Sequence, residues 1–152
     1  MALSFSDMTP EGKKFMQELR KLEQLEVRVG FQQGQGSYEN GADLAEVAAY
    51  NELGSSSTPA RPFMRQSFEN HQSELQKACN DANKILASGG TAQQALNRIG
   101  VVAKGLVQEE IVSGGFEPNA PSTIAKKGSE TPLVDSGFMR ESVNYVIKGR
   151  GE

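Results

Sequence analysis

The sequence contains one cysteine, Cys79, one histidine, His71, and no tryptophan. A single thiol excludes an internal disulfide and any cysteine-rich metal site. There is no H-E-x-x-H, no G-x-x-x-x-G-K-[ST] and no G-x-S-x-G, so the common zinc-protease, phosphate-loop and serine-hydrolase signatures are missing. GQGSYENG carries a G-x-G but then fails the dinucleotide-binding pattern. No apolar run approaches the roughly 20 residues that a membrane helix needs. The N-terminal MALSFSDMTPEGKK places its lysines after the apolar residues and lacks a hydrophobic stretch, which argues against a secretory signal. Basic residues are not in excess either. Lys and Arg number 16 against 19 Asp and Glu, a formal net charge of −3, which disfavours binding to nucleic acid through phosphate contacts.

What remains is a chain of 152 residues, consistent with one domain over 1–152, whose apolar residues fall in periodic blocks. Thr9 is a good helix N-cap and Pro10 suits the first helical position. Phe15, Met16, Leu19 and Leu22 then recur at helical spacing over residues 9–22, with Lys13, Lys14, Glu18, Arg20 and Lys21 toward water. From Leu25 the period changes to two. Leu25, Val27, Val29 and Phe31 alternate with polar residues or glycine, the mark of a strand with one buried face. Residues 32–41, with Gly34, Gly36 and Tyr38, have no hydrophobic pattern and read as an exposed, mobile loop.

Residues 42–53 form a second helical pattern with Leu44, Val47, Ala48 and Leu53 inward and Gly54 in the left-handed capping position. Pro62 opens a long helix in which Phe63, Phe68, Leu75, Ala78, Cys79, Ala82, Ile85 and Leu86 keep near-helical spacing. Thr91 and Gln94 have the spacing of a capping box, and a further helix runs to about Ser113. Gly100 and Gly105 lie inside that helix. Each costs about 1 kcal/mol relative to alanine, which points to close packing against a neighbouring element. Residues 116–137 hold three prolines without a period and read as a long irregular arm. Val143, Tyr145 and Ile147 alternate in a final strand. The expected fold is α+β: a small, mostly antiparallel sheet including residues 25–32 and 142–148, with the long helix and further helices packed on one face.

Chemically reactive groups are sparse. His71 has Glu74 three residues on, which allows a surface pair, but an exposed or partly packed histidine is the plainer reading. Cys79 falls on the apolar stripe and reads as a buried small hydrophobe. Glu109 and Glu110 are adjacent, so on a helix they point about 100° apart and do not converge on a metal. No cofactor is expected. Charge is uneven: residues 1–60 carry 5 basic and 9 acidic groups (−4), residues 61–108 carry 6 and 3 (+3), and residues 109–152 carry 5 and 7 (−2). Ordinary solvated helix faces account for this, as do complementary patches of a head-to-tail subunit interface.

Three stretches carry more information: Val47-Ala-Ala-Tyr-Asn-Glu-Leu-Gly54, Thr58-Pro-Ala-Arg-Pro-Phe-Met64, and residues 126–143, Lys126-Lys127-Gly-Ser-Glu-Thr-Pro-Leu133-Val-Asp135-Ser-Gly137-Phe-Met-Arg-Glu-Ser-Val143. In this order and spacing they resemble the tailed-phage neck and tail-completion proteins of the HK97 gp10-like family, over roughly residues 25–148. Leu53 stands where that family usually carries an aromatic, and Ser136 where it usually carries threonine. Each stretch also has a local role. Pro59 holds the chain extended and Pro62 fits the first helical turn. Asp135-Ser136-Gly137 makes a tight turn. Arg61, charged and set between two prolines, reads equally as an exposed residue and as one paired with a carboxylate, for which Asp135, Glu52 and Glu141 are available.

The resemblance implies a non-enzymatic virion protein at the head–tail joint or tail end, assembled in the bacterial host cytoplasm. It would complete the neck or tail so that the tail joins the DNA-filled head. The implied partners are other neck and tail proteins (connector, tail terminator or tube) and further copies of itself in a ring. No membrane and no sequence-specific nucleic acid is expected, although a place near the DNA channel is compatible. A tail terminator capping the tube, and a phage morphogenesis chaperone or small enzyme, are the alternative roles. Arg61, Pro62, Phe63, Lys126, Lys127, Leu133, Asp135 and Gly137 are the residues expected at assembly contacts, with Gly34, Gly36 and Tyr38 in the contacting loop.

Overall fold

A computed structural model describes residues 4–34, 36–38, 40–116 and 137–152. The fold is α+β, with a two-stranded antiparallel sheet. In chain order, after a 3-10 turn at Phe5–Asp7, the elements are α1 (Pro10–Glu23), β1 (Leu25–Gly30), α2 (Leu44–Leu53), α3 (Phe63–Asn70), α4 (Gln72–Ala87), α5 (Ala92–Ser113), α6 (Phe138–Ser142) and β2 (Asn144–Gly149). They fall into two compact units. One comprises the described parts of residues 1–28, 73–102 and 145–152. The other comprises those of residues 29–72 and 103–144.

In the first unit, Thr9 accepts the Gly12 N–H at 3.1 Å and starts α1 with Pro10 in its first turn, as the sequence pattern requires. Leu19 and Leu22 then pack against Ala82, Leu86, Ala95 and Ile99 from α4 and α5. Glu18 does not face water as its pattern suggested. It is buried, and its carboxylate accepts the Ala92 N–H at 2.8 Å. The first amides of a helix have no partner within it, so a buried helix start needs an acceptor from elsewhere, and Glu18 provides one. Thr91 and Gln94 close a capping box by reciprocal bonds of 2.9 and 3.1 Å. Gly100 is buried, and a Cβ there would collide with the Tyr145 ring, which explains the glycine inside α5. Cys79 is exposed rather than buried: Ala78 and Ala82 take the inward side of α4.

In the second unit, the apolar cluster is formed by Leu44 and Ala48 of α2, Phe63 of α3, Val107 and Ile111 of α5, Met139 of α6 and Val143. Phe31 meets Phe63 edge-on, with ring centroids 6.0 Å apart. Asp43 caps α2 through the Ala45 and Glu46 amides. Leu53, expected inward, is 78 % exposed because the chain leaves the helix there.

The helix expected to run on from Pro62 is interrupted. His71 has φ −123° and ψ 34°, outside helical values, and α3 and α4 are separate helices on either side of it. Phe68, read as part of the apolar stripe, is correspondingly exposed. The expected irregular arm lies, apart from its two ends, outside the described residues.

Candidate functional site

The second unit brings together the stretches that the sequence singled out. The end of α2 and the start of α3 form one corner. Gly54 has φ 74° and ψ 177°, a region essentially reserved for glycine and different from the left-handed cap its position suggested. A Cβ there would lie 2.8 Å from the Ala60 nitrogen, so the two segments touch backbone to backbone. The Arg61 N–H then donates to the Asn51 carbonyl at 2.6 Å.

Pro62 occupies the N-cap position of α3 and offers no side-chain acceptor. Glu52 substitutes for it from the neighbouring helix. Its two carboxylate oxygens accept the Met64 N–H at 2.8 Å and the Arg65 N–H at 3.1 Å. A carboxylate at a helix N-terminus also meets the positive end of the helix dipole. Glu52, considered above as a partner for Arg61, thus caps α3.

Phe63 follows directly and is fully buried, as expected of an anchor. Arg61 is not an exposed helix-start residue: only 7 % of its surface is accessible. Gly137 takes the left-handed conformation, φ 75° and ψ 3°, ahead of α6. Met139 and Val143 descend from α6 and its end into the same cluster as Phe63 and Ala48. Lys126, Lys127, Leu133 and Asp135 lie outside the described residues, and with Asp135 the proposed pair to Arg61.

The glycine-rich loop is more tied down than its composition suggests. Tyr38 packs edge-on against Phe138 with centroids 5.2 Å apart, and a Cβ on Gly36 would lie 2.9 Å from that same ring. The Gly34 N–H donates to Asp43 at 3.0 Å, and the Leu44 N–H to the Gly36 carbonyl at 3.0 Å. Gly36 and Tyr38 thus sit against α6, while a Cβ on Gly34 would meet none of the described residues.

One polar cluster went unread in the sequence. Glu110 is 4 % exposed, whereas its neighbour Glu109 faces solvent, so the two carboxylates diverge as their helical spacing requires. Glu110 accepts Gln66 Nε2 at 2.6 Å and Asn70 Nδ2 at 3.2 Å, and lies 3.0 Å from His71 Nε2. His71 pairs with this buried acid 39 residues on. Gln66 and Asn70 lie four residues apart on one face of α3, which is the only local hint; nothing in the sequence ties that face to Glu110.

Among the described residues no group of three or more His, Cys, Asp or Glu is placed to hold a metal ion, and no helix is long and apolar enough to cross a membrane. No family model, curated protein or solved structure matches the chain.

Proposed function

We propose that the chain is a structural, non-catalytic protein of a tailed phage or prophage that acts at the head–tail junction. There it completes the neck or tail, as a ring, so that the tail joins the DNA-filled head. The reading rests on the resemblance of three sequence stretches to the neck and tail-completion proteins. One observation supports it most: each of the three stretches contributes a buried residue to a single cluster. Ala48 comes from the first, Phe63 from the second, and Met139 and Val143 from the third. The first two also depend on each other, through the Gly54–Ala60 backbone contact and the Glu52 carboxylate on α3. A corner fixed in this way presents a rigid surface, and rigid surfaces lose less entropy when subunits assemble.

Deletion of the gene from its phage tests the proposal. Free, DNA-filled heads beside tails of normal length are the expected result. Overlong tails would assign a tail-terminator role instead. Normal, infectious particles would refute a structural role.

A further inference from the structure

Two helical faces of the second unit carry exposed positions that the described chain leaves uncovered. The first is on α2. This helix is apolar almost all round: Leu44 and Ala48 are buried, yet Ala49, Tyr50 and Leu53 are exposed, the last two at 63 % and 78 %. A helix apolar on every side is normally covered on every side. Glu46, Ala49, Tyr50 and Leu53 lie at i, i+3, i+4 and i+7, one continuous face. Its end is held by Gly54 and Glu52, so the two large side chains stand on a fixed support.

The second face is on the C-terminal half of α5. Gly105 sits in mid-helix, exposed, and a Cβ there would touch none of the described residues. Unlike Gly100, it has no packing reason within the described chain. Gln108 and Val112 continue the same face; the half-buried Gln108 amide donates to the Arg140 carbonyl at 3.1 Å, and Val112 is 44 % exposed. Lys104 flanks it. Neither Lys104 nor Glu46 has an ionic partner among the described residues.

We infer that the outward face of α2 docks on the Gly105 face of α5 in a second copy of this chain. Charge and spacing choose the partner. Set parallel, Glu46 meets Lys104, Tyr50 covers Gln108 and Leu53 covers Val112. The seven helical steps from Glu46 to Leu53 span about 10.5 Å, and the eight from Lys104 to Val112 about 12 Å. Gly105 supplies the notch that lets the two backbones approach. Because the two faces differ, the contact is head-to-tail and repeats from subunit to subunit, as closing a ring requires. The inference rests on the ring assembly proposed above and names its interface.

Sedimentation of the purified full-length chain, from about 1 μM to about 1 mM, tests it without any phage. The wild-type chain is expected to associate as concentration rises. Leu53→Asp and Gly105→Leu should each weaken association by at least about tenfold. Gly105→Leu fills the notch while raising helix propensity, so its effect is not a loss of folding; circular dichroism checks this. Glu46→Lys and Lys104→Glu should each weaken association, and the double variant E46K/K104E should restore it. A chain that stays monomeric throughout, or one whose association ignores these substitutions, overturns the interface. The deletion phenotype is independent of that outcome, so either reading can fail alone.

Discussion

Glu52, one residue before the end of α2, accepts the backbone N–H of Met64 at the start of α3 at 2.8 Å. This bond ties two of the three stretches singled out in the sequence together, where Pro62 offers no side-chain cap to the helix it precedes. Glu52→Ala leaves the Met64 and Arg65 amides without their acceptor and is expected to cost about 1–3 kcal/mol. Glu52→Gln keeps one acceptor oxygen and should cost less. Urea denaturation of both variants checks the order.

Gly54 faces a stricter demand. At φ 74° and ψ 177° an alanine is strained, and its Cβ would press on the Ala60 backbone. Gly54→Ala is expected to lose at least about 2 kcal/mol in thermal or urea unfolding. Gly105→Ala makes the contrast. With open space and ordinary helical geometry it should gain up to about 1 kcal/mol.

Adjacent glutamates on α5 should behave in opposite ways. Removing the Glu110 carboxylate leaves Gln66, Asn70 and His71 facing a buried gap, so Glu110→Ala should cost about 3 kcal/mol or more. Glu109→Ala, on the solvent side, should change stability by about 0.5 kcal/mol or less. Equal effects at the two positions would contradict the buried cluster.

Acid should weaken the first unit in part through Glu18. The Ala92 N–H, and next the Lys21 side chain, hold its carboxyl below the usual glutamate value of about 4.3, outweighing the opposing effect of burial. A folded-state value below the unfolded one means that Glu18 stabilises the fold at neutral pH. That contribution disappears as pH falls through the lowered value. Asp81, held down first by its bond to Arg98, acts in the same direction and over the same acid range. Glu18→Gln should therefore lower stability at pH 7 and flatten its fall between about pH 5 and pH 2, read from urea midpoints across pH.

The sequence made most elements legible through local chemistry. Thr9, Pro10 and the Thr91–Gln94 pair mark helix starts by hydrogen bonds formed within a few residues. The alternation from Leu25 and from Val143 marks the strands. Features set by distant partners were not legible. Glu18 looks like any solvated glutamate until Ala92, 74 residues on, needs an acceptor. His71 lies in an unbroken helical pattern, and its contact with Glu110, 39 residues on, is not visible in that pattern. Leu53 and Cys79 fit apolar stripes by spacing but face solvent, because helical periodicity gives a face and not what covers it. Arg61 was legible as unusual and not as buried, since the two prolines around it fix its backbone and say nothing of its surroundings.

The most direct test of the proposed role is to locate the chain in the particle itself, by cryo-electron microscopy of purified virions. A ring of density at the head–tail junction that accommodates this α+β fold, with α2 of one subunit against α5 of the next, is the expected result. Virions in which no density of this fold occurs at the neck or tail end would contradict it.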